Sequence, residues 1–79
     1  NGEVHAYEVI VGTDKNVCKH AKDAFIVSTQ PVVSLIFVTA LKSAHKRIEK
    51  LILSDPELVF HINKIRFTTA AQIFKELYS

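Results

Sequence analysis

The chain has 79 residues, 48% of them apolar and 23% charged, with a formal net charge of +2. This is the composition of one folded domain, far from the low-hydrophobicity profile of disorder. It leaves no room for a second core, because a domain of this size buries only roughly 60–65% of the surface its unfolded chain exposes. The longest apolar run, Val32 to Leu41, is about half of the roughly 20 residues that cross a bilayer, so no membrane segment and no membrane partner are expected.

A lone cysteine, Cys18, excludes an internal disulfide, and the first residues lack the basic start and apolar stretch of an export signal. Both observations point to a reducing, intracellular setting. The sequence starts at Asn1-Gly2 and holds no methionine. It is therefore expected to be a single small domain, residues 1–79, excised from a longer chain.

In chain order, Val4, Ala6, Val9, Ile10 and Val11 make a β-branched stretch ending at Gly12, a first strand over 3–11. Thr13-Asp14 can accept from the free N–H groups of a helix start. Val17, Ala21, Ala24 and Phe25 then recur at helical spacing, predicting a helix over 14–26. Pro31, with no N–H, stops it. Residues 32–39 are apolar at almost every position, so this strand is covered on both faces and belongs in the middle of a sheet. Over 41–53, Leu41, Ala44, Ile48, Leu51 and Ile52 fall within one arc, with Lys42, Lys46, Arg47 and Lys50 opposite.

Residues 57–67 carry two patterns. Leu58, Phe60, Ile62, Ile65 and Phe67 alternate as a strand with a slip near Asn63. A Ser54-x-x-Glu57 capping box with Pro56 and the spacing of Leu58, Ile62 and Ile65 read as a helix. The strand is preferred, because the segment is rich in β-branched and aromatic residues and completes a β-α-β-α-β-α series. A second capping box, Thr69-x-x-Gln72, opens a terminal helix over 69–78. The expected fold is α/β, or α+β: a small three-stranded, mixed or parallel sheet packed by helices, with right-handed crossovers.

The concentrated charge is Lys42, Lys46, Arg47 and Lys50 against Glu49 alone. His45 lies at its border, and Lys64 and Arg66 extend it. Cations at one-turn intervals are spaced to meet phosphates. A plain structural reading is a solvated helix face whose lysine stems cover the apolar stripe. No aromatic strand motif, GXXG loop or paired zinc ligands accompany it.

Four histidines and one cysteine raise metal binding. However, Cys18 and His20 are two apart on a helix and point apart, while His5, His45 and His61 sit in separate elements. Cys18 is expected to pack beside Ala21 and Phe25. With only two glycines, no phosphate-cradling loop can be written, and no serine has a nucleophile-elbow context. Glu8, Asp14 and Asp23 with His20 could form an acid-base group near the first strand's end, although capping and solvation explain them more simply. No catalytic, cofactor or metal residues are assigned.

The last helix is apolar over Ala70, Ala71, Ile73, Phe74, Leu77 and Tyr78, too broad an arc for one contact layer. The leading expectation is a non-catalytic protein–protein interaction or oligomerisation module that contacts a protein partner, or its own copy, through Ile73, Phe74, Leu77 and Tyr78. The alternative is nucleic-acid binding through Lys42, His45, Lys46, Arg47 and Lys50. A third reading is an accessory domain of an enzyme whose chemistry lies in other sequence.

Overall fold

The computed structural model describes residues 3–10, 15–30 and 32–78. The strands are β1 (His5–Val9), β2 (Ser34–Thr39) and β3 (Ile65–Thr69), and the helices are α1 (Val17–Lys22), α2 (Ser43–Leu53) and α3 (Ala70–Tyr78). The three strands form one sheet in the order β1-β2-β3. Both pairings are parallel, with Tyr7 beside Ile36 and Ile36 beside Arg66. The α/β fold in β-α-β-α-β-α order is thus as read from the sequence, with the non-alternating strand at the centre.

One sheet face holds the core. Leu35 and Phe37 of β2 are fully buried there with Val17, Ala21 and Phe25 from the first helical segment, Ala44, Ile48 and Ile52 from α2, Leu58 and Ile65. Because side chains alternate along a strand, Tyr7, Val9, Ile36, Val38 and Arg66 occupy the other face. There α3 approaches, lining a groove with Tyr7, Val9 and Val38.

Several local expectations are corrected. The first helix does not continue regularly to residue 26. From Asp23 to Val27 it widens into a π-turn, closed by the Ser28 N–H on the Asp23 carbonyl at 2.9 Å, the spacing of a π-bulge. The proposed strand over 57–67 is helical first and extended later: Val59–Lys64 is a 3₁₀ stretch and β3 begins only at Ile65. The alternation misled because Leu58 and Phe60, which a strand would place on one face, are separated by the turn; Leu58 is fully buried and Phe60 is 85% exposed.

The Ser54-Glu57 capping box does not form. Asp55 Oδ1 accepts the Glu57 N–H at 2.9 Å, while the Ser54 hydroxyl donates to the Lys50 carbonyl at 2.8 Å. At the second box, Thr69 Oγ1 does accept the Gln72 N–H, at 3.1 Å. The Gln72 side chain donates to Glu76 at 3.2 Å rather than folding back. Val11, Gly12, the Thr13-Asp14 helix start and the Pro31 break lie outside the described residues.

Lys22 ties the first helix to the turn after α2, with Nζ at 2.9 Å from Asp55 and 3.3 Å from Glu57. The Lys22 ammonium, with the Glu57 N–H behind it, holds the Asp55 carboxyl below the usual carboxylate range. Bonds to Asp55 and then Glu57 hold Lys22 above its ordinary value. With its folded value below its unfolded one, Asp55 contributes stability that is fully present above about pH 4 and lost as pH falls through the folded value. For Lys22 the contribution is present below about pH 10 and lost at higher pH. Urea denaturation from pH 6 to pH 2 should show a shallower acid-side loss in Asp55→Asn than in wild type; equal slopes would mean that the ion pair does not couple to folding.

Candidate interaction surfaces

The first surface is built on α3 and the second sheet face. Because α3 starts at Ala70, directly after β3 ends at Thr69, the capped first turn sends the helix back across the sheet. Ile73 is half-buried against it. Phe74, Leu77 and Tyr78 remain 65%, 71% and 74% exposed. The Phe74 and Tyr78 rings, one turn apart, pack with centroids 4.6 Å apart. Leu77 and Ile73 line a groove of about 360 Å³ with Val38 and two residues of β1, Tyr7 and Val9, which are 63% and 62% exposed.

Of the four α3 residues expected to contact a partner, Phe74, Leu77 and Tyr78 are thus outward and Ile73 seats the helix. Tyr7 and Val9 were not foreseen. Their signal was present in the alternation of His5-Ala-Tyr-Glu-Val9, which puts Tyr7 and Val9 on the face away from Ala6.

The second surface is the outer side of α2. Lys42, Lys46 and Lys50 are exposed, and their ammonium groups make no ion pair among the described residues. By contrast, Lys19 is paired with Asp23 at 3.2 Å and Lys22 is paired as above. The other members of the expected basic face are placed differently. Arg47 lies on the flank of α2, lining a crevice of about 160 Å³ at the carboxyl ends of β1 and β2 with Ile10, Thr39, Leu41 and Ser43. His45 turns toward β3, its ring stacked 5.4 Å from Phe67. Its Nε2 lies 3.0 Å from the Thr68 carbonyl; that oxygen only accepts, so Nε2 carries the proton. Arg66 lies on the opposite sheet face from α2, beside Tyr7, Ile36 and Ile73, and does not extend the stripe.

Among the remaining candidates, Glu8 and His20 come together, Oε2 and Nδ1 3.4 Å apart. Asp23 is engaged by Lys19, and Asp14 lies outside the described residues. Cys18 packs at the margin of the core, its thiol donating to the Leu51 carbonyl at 3.6 Å. Burial, and secondarily Asp55, push that thiol's pKa up, away from thiolate reactivity. His61 stacks on Phe25 at 4.9 Å. No group of three or more His, Cys, Asp or Glu side chains among the described residues is placed to hold a metal ion. No helix among them is long and apolar enough to cross a membrane. Comparison with family models, with curated proteins and with solved structures returns no match.

Proposed function

We propose that this domain is a non-catalytic, intracellular protein–protein association module whose contact surface is the second sheet face together with the outer side of α3. One observation carries the reading: Tyr7, Val9, Phe74, Leu77 and Tyr78 are all more than 60% exposed; Tyr7, Val9 and Leu77 adjoin around one apolar groove, and the Phe74–Tyr78 ring pair stands beside Leu77 on the same helix. Their uncovered area is about 540 Å², taking about 200 Å² for each aromatic ring and about 100 Å² for each aliphatic side chain. That lies near the top of the roughly 300–600 Å² that the largest patch of a monomer occupies.

The test compares wild type with the double variant Phe74→Ser/Tyr78→Ser at submicromolar concentration. The melting temperature should stay within about 5 °C, as surface substitutions do, while binding of a hydrophobic dye such as ANS falls sharply. A loss of about 3–5 kcal/mol would mark the rings as core. Unchanged dye binding would place the apolar surface elsewhere. Either result overturns the reading.

A second reading, nucleic-acid binding, rests on the uncompensated charge of Lys42, Lys46 and Lys50. Three ammonium groups one turn apart, with no acidic neighbour paired to them among the described residues, offer a short row of contacts to successive phosphates.

A further inference from the structure

We propose that the partner of this surface is a second copy of the chain, joined by antiparallel pairing of the two β1 strands about a two-fold axis through Tyr7; the proposal rests on the association-module reading above.

Among the described residues β1 is an edge strand, paired with β2 alone. Ile10 donates its N–H to Val38 at 2.9 Å, and the Val4 carbonyl accepts the Val33 N–H at 2.8 Å. The peptide groups of the even-numbered residues therefore point toward β2. Because peptide direction alternates along a strand, those of His5, Tyr7 and Val9 point away, toward the open edge.

An antiparallel partner must meet those outward groups in directly opposed pairs, each exchanging two hydrogen bonds. Centring the two-fold on Tyr7 sets Tyr7 opposite its own copy and His5 opposite the copy's Val9, so all three outward residues are paired at once. Centring it on His5 or Val9 leaves most of the strand unmatched. Centring it on Ala6 or Glu8 also opposes outward residues but pairs only two of the three within the strand, His5 with Tyr7 or Tyr7 with Val9, and the Glu8 centre sets two carboxylates directly opposite each other.

The side chains agree with this register. His5, Tyr7 and Val9 project to the sheet face that carries α3, and a two-fold normal to the sheet keeps both α3 helices on that face. The groove lined by Tyr7, Val9 and Leu77 then adjoins its copy and closes over a Tyr7 cross-strand pair. Glu8 falls opposite Ala6 rather than opposite Glu8, so no like charges are set against each other. The other free edge is less suited. Arg66 and Lys64 place cations on and beside β3, which blunts an edge. The size is also adequate: about 540 Å² of exposed apolar side chain from each copy gives roughly 1,080 Å², just above the roughly 1,000 Å² that a specific interface should clear, before the strand backbone is counted.

The experiment uses the full chain. In a Cys18→Ser background, Tyr7→Cys brings two thiols together at the axis, where opposed Cα atoms stand about 5.5 Å apart, within disulfide range. Oxidation at micromolar concentration should give a covalent dimer with the circular dichroism of the wild type. Arg66→Cys, on the far edge, should remain mostly monomeric. Independently, Val9→Pro removes an outward N–H that the β1-β2 ladder does not use, a substitution that edge strands tolerate. It should weaken association at least tenfold by sedimentation velocity.

A wild-type chain that stays monomeric up to millimolar concentration overturns the second copy as partner. If its dye-binding patch is intact, the association-module reading survives with a different protein. A dimer that persists in Val9→Pro and gives no Tyr7→Cys cross-link overturns the β1 pairing alone.

Discussion

Phe37→Ala is expected to remove a large share of the domain's stability, about 3–5 kcal/mol. Phe37 is fully buried in the central strand, flanked in register by Glu8 on one side and Phe67 on the other. Its ring stacks on Phe67 with centroids 5.9 Å apart. Truncating such a ring costs about 3–5 kcal/mol in lost transfer energy and residual cavity. At roughly 0.05–0.15 kcal/mol per residue, a domain of this length holds only about 4–12 kcal/mol in total. The melting temperature should fall by at least about 12 °C, since 1 kcal/mol corresponds to about 4–8 °C in domains of this size. Phe37→Leu, which keeps most of the volume, should recover the greater part. A fall of less than about 5 °C for the alanine variant would mean that Phe37 does not hold the two layers together.

The same residue shows why part of the fold was legible. Val32 to Ala40 could not alternate, because both faces of the central strand are covered: Leu35 and Phe37 by α1 and α2, Val38 from the side of α3. A strand that buries both faces announces its position in the sheet. The arc of Ala44, Ile48 and Ile52 was equally plain, because a helix on a sheet needs one continuous apolar stripe. What failed was local competition among short polar side chains. Ser54 and Glu57 match the capping-box pattern, but Asp55 between them accepts the Glu57 N–H, and the Glu57 carboxylate is drawn to Lys22 on another helix. Nothing in the local pattern reports that long-range pull.

The site residues divide in the same way. Phe74, Leu77 and Tyr78 were readable because the apolar arc of α3 exceeds what one packing layer can cover. Tyr7 and Val9 were hidden behind a strand signal that gives alternation but not which face remains open; that depends on where α3 crosses. His45 and Arg47 were grouped with the lysines by helical position alone. His45 is turned by Thr68 and Phe67, contacts that exist only once β3 is in place, and Arg47 lines the crevice at the carboxyl ends of β1 and β2. The basic face is accordingly narrower than its sequence, and the electrostatics it supports are smaller.

That narrowing fixes the size of the salt effect expected if α2 meets nucleic acid. Each phosphate neutralised on duplex DNA contributes a slope of about −0.9 to the plot of log affinity against log salt. Lys42, Lys46 and Lys50 together give about −2.7, so affinity for a fluorescently labelled 20-base-pair duplex should fall about fortyfold between 50 and 200 mM salt. Lys46→Glu/Lys50→Glu should remove about two units of that slope and most of the binding at low salt, with no change in sequence preference, because phosphate contacts carry no sequence information. Both positions are exposed, so folding should change by no more than about 1 kcal/mol. Association through β1 and α3, on the opposite side of the sheet, should be unaffected. His45→Asn makes the internal control: His45 is committed to the Thr68 carbonyl, so its replacement should alter stability without altering the salt slope. A wild-type chain that does not bind the duplex at 20 mM salt, or a charge-reversed variant that binds as well as wild type, would leave α2 as a solvated helix face and remove the nucleic-acid reading.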